Sequence, residues 1–307
     1  MLYDIDLVTG RNNLRKLWSA CRETDNHHTS PWRIDIEYID CGDSAPGLVI
    51  LERFEPPQRQ QRTVPNGYRQ SYQEATTRKV LDGSDRTPGC NRIIKYSFGG
   101  LKMILKFDTP AFEPSKSNWT EYEQGVTELF DNTTNDGVST MDGLDFDDPV
   151  YNGQSIRIRH TILTPPAQGD CLSIKTKSQS DEFDAEYHYP QMYFSQTPNV
   201  VYAKHQHGDF RFPLEEYNLF TDPVTKRVKE ERQDAIDKVA SLLRWVVGLA
   251  RGHKRGLGLV WDGKEFGVCE RDKGKEVSAP VREMIMDVKG RDRSVVAPSV
   301  AGEPSVK

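Results

Sequence analysis

Cys171-Leu172-Ser173-Ile174-Lys175-Thr176-Lys177 reads as a buried strand that carries a lysine, Lys175, in its middle. Side chains two apart on a strand share a face, so Ser173 and Lys175 stand together on it. Asn199-Val200-Val201-Tyr202-Ala203-Lys204-His205 reads as another strand, and Pro190–Gln196 between them as a third. The middle of the chain is therefore built from strands.

Working outward, hairpins recur. Arg92–Phe98 and Leu101–Phe107 are separated by Gly99-Gly100, a two-residue turn that tolerates positive φ. Trp32–Ile39 alternates apolar and charged residues and pairs with Gly47–Phe54, while Trp261-Asp262-Gly263-Lys264 turns between Leu257–Trp261 and Glu265–Glu270. Ser155–Leu163 reads as one more strand. Tyr3–Val8 opens the chain as a strand, and Thr9 is placed to cap a helix over Arg11–Cys21, where Leu14, Leu17 and Trp18 recur at helical spacing. Gly67–Leu81, stopped by Asp82-Gly83, suits a mostly surface helix. Thr225–Arg251 suits a long amphipathic one, with Ile236, Val239, Leu243, Val246, Val247 and Ala250 as its core-facing stripe.

This order predicts an α+β fold: a twisted central sheet, mixed or largely antiparallel, flanked by the first helix and the long C-terminal one. Residues 1–287 are expected to form a single domain. An acidic insertion near 113–150, rich in Asp, Asn, Thr and Gly, and a Pro/Ser/charged tail over 288–307 are expected to be disordered.

The 307 residues, 36% hydrophobic, suffice to bury a core, and a net charge of −5 does not advertise nucleic-acid binding. The charge is nevertheless polarised, acidic over 131–148 and basic over 226–255. The apolar run at 242–249 is broken by Arg244 and is too short for a membrane span, which needs about 20 apolar residues. Asp4 and Asp6 stand where a secretory signal would carry basic residues, so an intracellular protein, cytoplasmic or nuclear, is expected. The five cysteines contain no C-x-x-C pair, which disfavours a disulfide framework and a zinc ribbon.

Metal-dependent phosphodiester hydrolysis needs carboxylates converging on a cation, and a lysine that positions water or offsets phosphate charge. Other constellations fall short of a chemistry. His205-Gln206-His207-Gly208-Asp209 has the spacing of a metal pair but lacks a further ligand motif, and Ser195 has no nucleophile elbow. Gly256-Leu257-Gly258 lacks the strand and helix that a phosphate loop requires.

Several blocks then recur in a familiar order: Val8-Thr9-Gly10-Arg11-Asn12-Asn13-Leu14-Arg15-Lys16-Leu17, Gly67-Tyr68 leading to Tyr72-Gln73-Glu74, Arg92-Ile93-Ile94-Lys95-Tyr96-Ser97-Phe98-Gly99-Gly100-Leu101, Ile174-Lys175-Thr176, and Tyr193-Phe194-Ser195-Gln196-Thr197-Pro198. On these blocks the chain, to about residue 260, resembles a family of fungal proteins often labelled geranylgeranyl pyrophosphate synthetases. That family in turn resembles a distant branch of the eukaryotic decapping exonucleases of PD-(D/E)xK type. The prenyl label does not suit the residues. Diphosphate chemistry needs aspartates grouped twice on helices, whereas Asp142, Asp145, Asp147 and Asp148 form one cluster before Pro149 in a strand-rich chain.

The nuclease resemblance implies Lys175 as the catalytic lysine and places the motif glutamate at Gln73, with Glu74 beside it. It sets the hairpin acids at Asp108 and Pro110, and the acid of the acid-x-Lys pair at Ser173. Glu74 and Asp108 are then the acids left to hold a metal, so Mg or Mn binding is expected to be weak or lost. Each residue also has a plainer reading: Lys175 as a snorkelling strand lysine, Glu74 as a solvated helix residue, and Asp108 as a turn cap before Thr109. Two functions remain open, a degenerate nuclease-like protein binding RNA or a nucleotide, and a scaffold for a protein partner.

Overall fold

Leu7–Gly10 (β1) lies between two strands that run parallel to it, and this placement organises the molecule. A computed structural model describes residues 4–22, 30–42, 46–54, 68–77, 91–109, 111–113, 150–151, 154–155, 167–271, 277, 282–283 and 285–286. After β1 come α1 (Arg11–Cys21), β2 (Trp32–Ile39), β3 (Leu48–Arg53), α2 (Arg69–Thr76), β4 (Asn91–Phe98), β5 (Leu101–Asp108) and β6 (Ala111–Phe112). There follow β7 (Val150–Tyr151), β8 (Gln154–Ser155), β9 (Cys171–Ser178), α3 (Ala185–Ser195), β10 (Asn199–His205) and β11 (Glu215–Asn218). The described chain closes with α4 (Pro223–Glu231), α5 (Gln233–His253), β12 (Leu257–Trp261) and β13 (Phe266–Glu270).

Seven strands form a mixed sheet in the order β13-β12-β2-β3-β1-β5-β4, and four form a second in the order β11-β10-β9-β6. In the first, Thr9 of β1 stands level with Leu51 of β3 and with Leu105 of β5. In the second, β9 and β10 are parallel and Lys175 stands level with Tyr202. The expected α+β class with a mixed sheet flanked by helices is the observed one, divided between two main sheets, with β7 and β8 pairing apart as a two-stranded ribbon.

The core lies where α1 and α5 cover the seven-stranded sheet. Leu14, Leu17 and Trp18 of α1, and Val239, Leu243, Val246 and Ala250 of α5, are buried against Leu7, Ile34, Val49, Met103 and Leu105. Each such aliphatic side chain contributes roughly 2 kcal/mol by leaving water. The Gly99-Gly100 turn is packed as well as bent. Gly99 has φ +58°, and a Cβ there would sit 2.6 Å from the Cβ of Ala240 on α5. Only glycine meets both conditions.

Four local expectations are corrected. Residues 190–196 are not a strand; Asp184 caps a helix by accepting from the Tyr187 N–H at 2.9 Å, and Gln196 ends it in the left-handed region. Pro190 inside that helix, and the burial of most of its residues, hide the amphipathic period that would mark it. The long helix breaks at Arg232 (φ −122°), which separates α4 from α5. Thr9 does not cap α1, because its hydroxyl donates to the carbonyl of Leu51 and accepts from Asn13; Gly10 is the N-cap, without a side-chain bond. The surface helix stops at Thr76 rather than at Leu81. Most of 113–150, residues 156–163, the aspartate cluster at 142–148 and the tail lie outside the described residues.

Candidate functional site

The C-terminal ends of β1, β3 and β5 meet the start of α1 around a cavity of about 440 Å³, lined by Thr9, Gly10, Arg11, Asn13, Arg53 and Asp108 among others. Alternation along β5 turns Leu101, Met103, Leu105 and Phe107 into the core and leaves Lys106 and Asp108 on the other face. Asp108 closes that strand with its carboxylate half exposed. Arg11, the first residue of α1, is buried over the ring of Phe107 and pairs with that carboxylate. It also donates to the Asp108 carbonyl at 3.3 Å. From the opposite side Arg69, the first residue of α2, approaches the same carboxylate at 3.7 Å.

α2 is set in place by aromatic contacts. Tyr68 packs on His205 with ring centroids 4.7 Å apart, and Tyr72 packs on Phe210 at 4.4 Å. The segment after β10 therefore serves as a seat for α2. β10 ends at His205, and His207 (φ +52°) and Gly208 (φ +91°) turn the chain, so the two imidazoles do not share a strand face. A Cβ on Gly208 would lie 2.6 Å from the Tyr68 ring, which shows how closely the helix sits.

β9 supplies Lys175 and Ser173 from one face, as the alternation predicts, and α3 covers that face with Gln191. The Lys175 Nζ donates to Gln191 Oε1 at 2.9 Å, and Gln191 Nε2 donates to Ser173 Oγ at 3.2 Å. Burial holds the lysine's proton affinity down to a pKa of about 7, helped by Arg69, Arg11 and Arg15 and opposed by Asp108. His188, one turn before Gln191 on α3, is pushed down to about 3 by burial and then by Lys175, Arg15 and Lys177. The two sheets thus bring Lys175 into the electrostatic field of Arg11, Arg15, Arg69 and Asp108.

Arg15 lies one turn along α1 from Arg11 and looks into a second cavity of about 630 Å³, where its guanidinium stands 5.1 Å from the centroid of the exposed Tyr187 ring. Asn12 and Arg53 line both cavities and join them. Glu186 at the far wall is held by Arg22 at 3.0 Å and by Arg232 at 2.7 Å, so its charge is met there.

The residues singled out from sequence separate into two sets. Asp108 lines the first cavity, and Lys175, bonded through Gln191 to Ser173, lies within its electrostatic reach. Gln73 is half-buried on α2, and its Nε2 is enclosed without a hydrogen-bond partner. Glu74 is exposed and accepts from Gln70 at 3.0 Å, and Pro110 lies outside the described residues. Gln191 escaped sequence reading because its helix was read as a strand. Arg11 and Arg15 stand in a block that carried the resemblance, but nothing local signals that they meet a lysine 160 or more positions later.

A cation such as Mg²⁺ or Mn²⁺ requires hard oxygen ligands that include carboxylates. Asp108 is already flanked by two guanidiniums, while Ser173 and Gln191 offer only neutral oxygens. Among the described residues no three His, Cys, Asp or Glu side chains gather into a metal-holding group. Among the described residues, the donors gathered here do not suit a divalent cation.

A family model described as "Domain of unknown function (DUF8563)" matches residues 1–251. No curated protein matches the sequence. Among solved structures the fold is similar to Rai1 of Candida albicans, in complex with pU5-Mn2+, at a TM-score of 0.54 and 11% identity over 93% of this chain and 75% of that one. Scheffersomyces stipitis Rai1 matches at 0.51 and 11% identity, over 94% and 72%. A mutant S. pombe Rai1, with one glutamate changed to serine and two to glutamine, is in complex with 3'-FADP and matches at 0.51 and 11%, over 87% and 71%. The two-sheet architecture is the Rai1 fold, not a helical bundle of the prenyl-transfer kind.

Proposed function

The chain belongs to the DUF8563 family, and from its cleft we propose that it is an RNA- or nucleotide-binding protein on a nuclease fold whose metal-dependent hydrolysis has been lost. One observation carries the reading: Lys175 keeps its place on β9, bonded to Gln191 and in the field of Arg11, Arg15 and Arg69, while Asp108, the carboxylate in that field, is already paired with Arg11 and approached by Arg69. Such a site attracts phosphate through charge and hydrogen bonds and lacks the ligands for two-metal or one-metal attack. The relatives support the ligand class, since the Candida albicans protein holds pU5 and the S. pombe mutant holds 3'-FADP after losing three glutamates.

The test is a labelled single-stranded RNA, titrated with the full chain and then incubated with Mg²⁺ or Mn²⁺. Saturable binding without cleavage is expected, weakened about tenfold or more by Lys175→Ala. Robust metal-dependent cleavage that Lys175→Ala abolishes would instead identify an active hydrolase.

A further inference from the structure

We propose that the cationic side chains of the cleft take the place of a divalent cation, so that the site holds a terminal phosphate monoester with no metal present; this rests on the nucleic-acid reading above. Arg11 and Arg69 meet at one carboxylate, Asp108, with Arg15 and the partly protonated Lys175 in their field; Arg53 and Lys106 line the first cavity as well, against Glu52 and Asp108. Arg11 is 7% exposed and Lys175 is also largely enclosed, so this positive excess is only partly relieved by water. A partly desolvated like-charge cluster is costly unless an anion completes it.

Two further observations point to the same occupant. The Arg11 Nε is enclosed without a hydrogen-bond partner, a donor on a side chain that lines the first cavity. α1 starts in that cavity with no side-chain cap, so its first-turn N–H groups are not taken up by a capping oxygen. Guanidiniums and a helix N-terminus together favour a phosphate oxyanion. A terminal monoester, carrying close to two charges at neutral pH, balances the excess better than a single-charged internal diester.

Phosphate near Lys175 raises that amine's proton affinity, so binding draws a proton onto it. Arg69 from α2, Arg11 and Arg15 from α1 and Asp108 from β5 set the field in which it titrates, while Lys177 on β9 and the neutral His188 on α3 lie nearby. Affinity is therefore expected to fall as pH rises above neutrality.

The experiment compares a 3'-labelled pentauridylate carrying a 5'-phosphate with one carrying a 5'-hydroxyl, by fluorescence anisotropy, in EDTA and in Mn²⁺. A preference of tenfold or more for the 5'-phosphate in EDTA is expected, unchanged by Mn²⁺. It should be reduced by Arg69→Ala and by Lys175→Ala, with circular dichroism confirming that both variants fold. Equal binding of the two oligonucleotides overturns the phosphate assignment and leaves RNA binding standing. A preference that needs Mn²⁺ overturns the metal-free assignment alone. Binding of neither overturns both readings.

Discussion

Lys175 is held where its charge is expensive. Burial, with Arg69, Arg11 and Arg15 nearby, brings its pKa to about 7 from the usual 10.5. Between those values the unfolded chain binds more protons than the folded one, so this group makes stability rise with pH, and below 7 its full cost is present. Lys175→Met is accordingly expected to stabilise the fold by about 2 to 4 kcal/mol at pH 6 and by less at pH 9. Denaturant titrations at the two pH values check this, and a gain that does not change with pH would count against it. The same variant should bind RNA poorly, since a side chain that costs stability and is kept in a cleft is one that function uses. Lysine on the strand face was legible from the period of two. Its charged surroundings were not, because they are assembled from both sheets and two separate helix starts.

At the scale of elements, the hairpins were readable because turn chemistry is local. Gly99-Gly100 joins β4 to β5 as its two glycines require, but sequence does not disclose that the turn also touches α5, where the Arg244 side chain bonds the Gly99 carbonyl at 2.7 Å. Gly99→Ala is expected to cost about 2 to 3 kcal/mol, combining the strained φ with the clash against Ala240. Adding Ala240→Gly should recover only the steric share. Chemical denaturation of both single variants and the double separates the two contributions. α3 was misread for the opposite reason. A helix with most of its residues buried offers little polar face to keep time with, and Pro190 argues locally against it; the capping Asp184 was the signal available. With α3 went Gln191, the residue that ties Lys175 to Ser173.

At the scale of the molecule, the described residues contain no helix long and apolar enough to cross a membrane. The α+β class followed from the succession of strands and end helices, yet its division into two sheets did not, since pairing such as β9 with β10 depends on the helix carried between them. The seven-stranded sheet also explains how the chain's last described part is tied in. β12 pairs with β2 along its full length, and β13 pairs with β12. On the far face of β2 the buried Asp35 and Glu37 are met by Arg271, and Glu37 also by Arg282 and by the backbone N–H of Val277.

The family boundary at residue 251 therefore falls inside a folded unit. A form of the protein cut there would uncover β2 over Trp32–Ile36 as a bare template for intermolecular pairing and strand Glu37 without counter-charge, leaving Asp35 to Arg33. Such a truncation is expected to aggregate on size-exclusion chromatography, whereas one ending at 287 should run as the full chain does. Anyone dissecting this family by its sequence limits would be measuring the behaviour of an open seam.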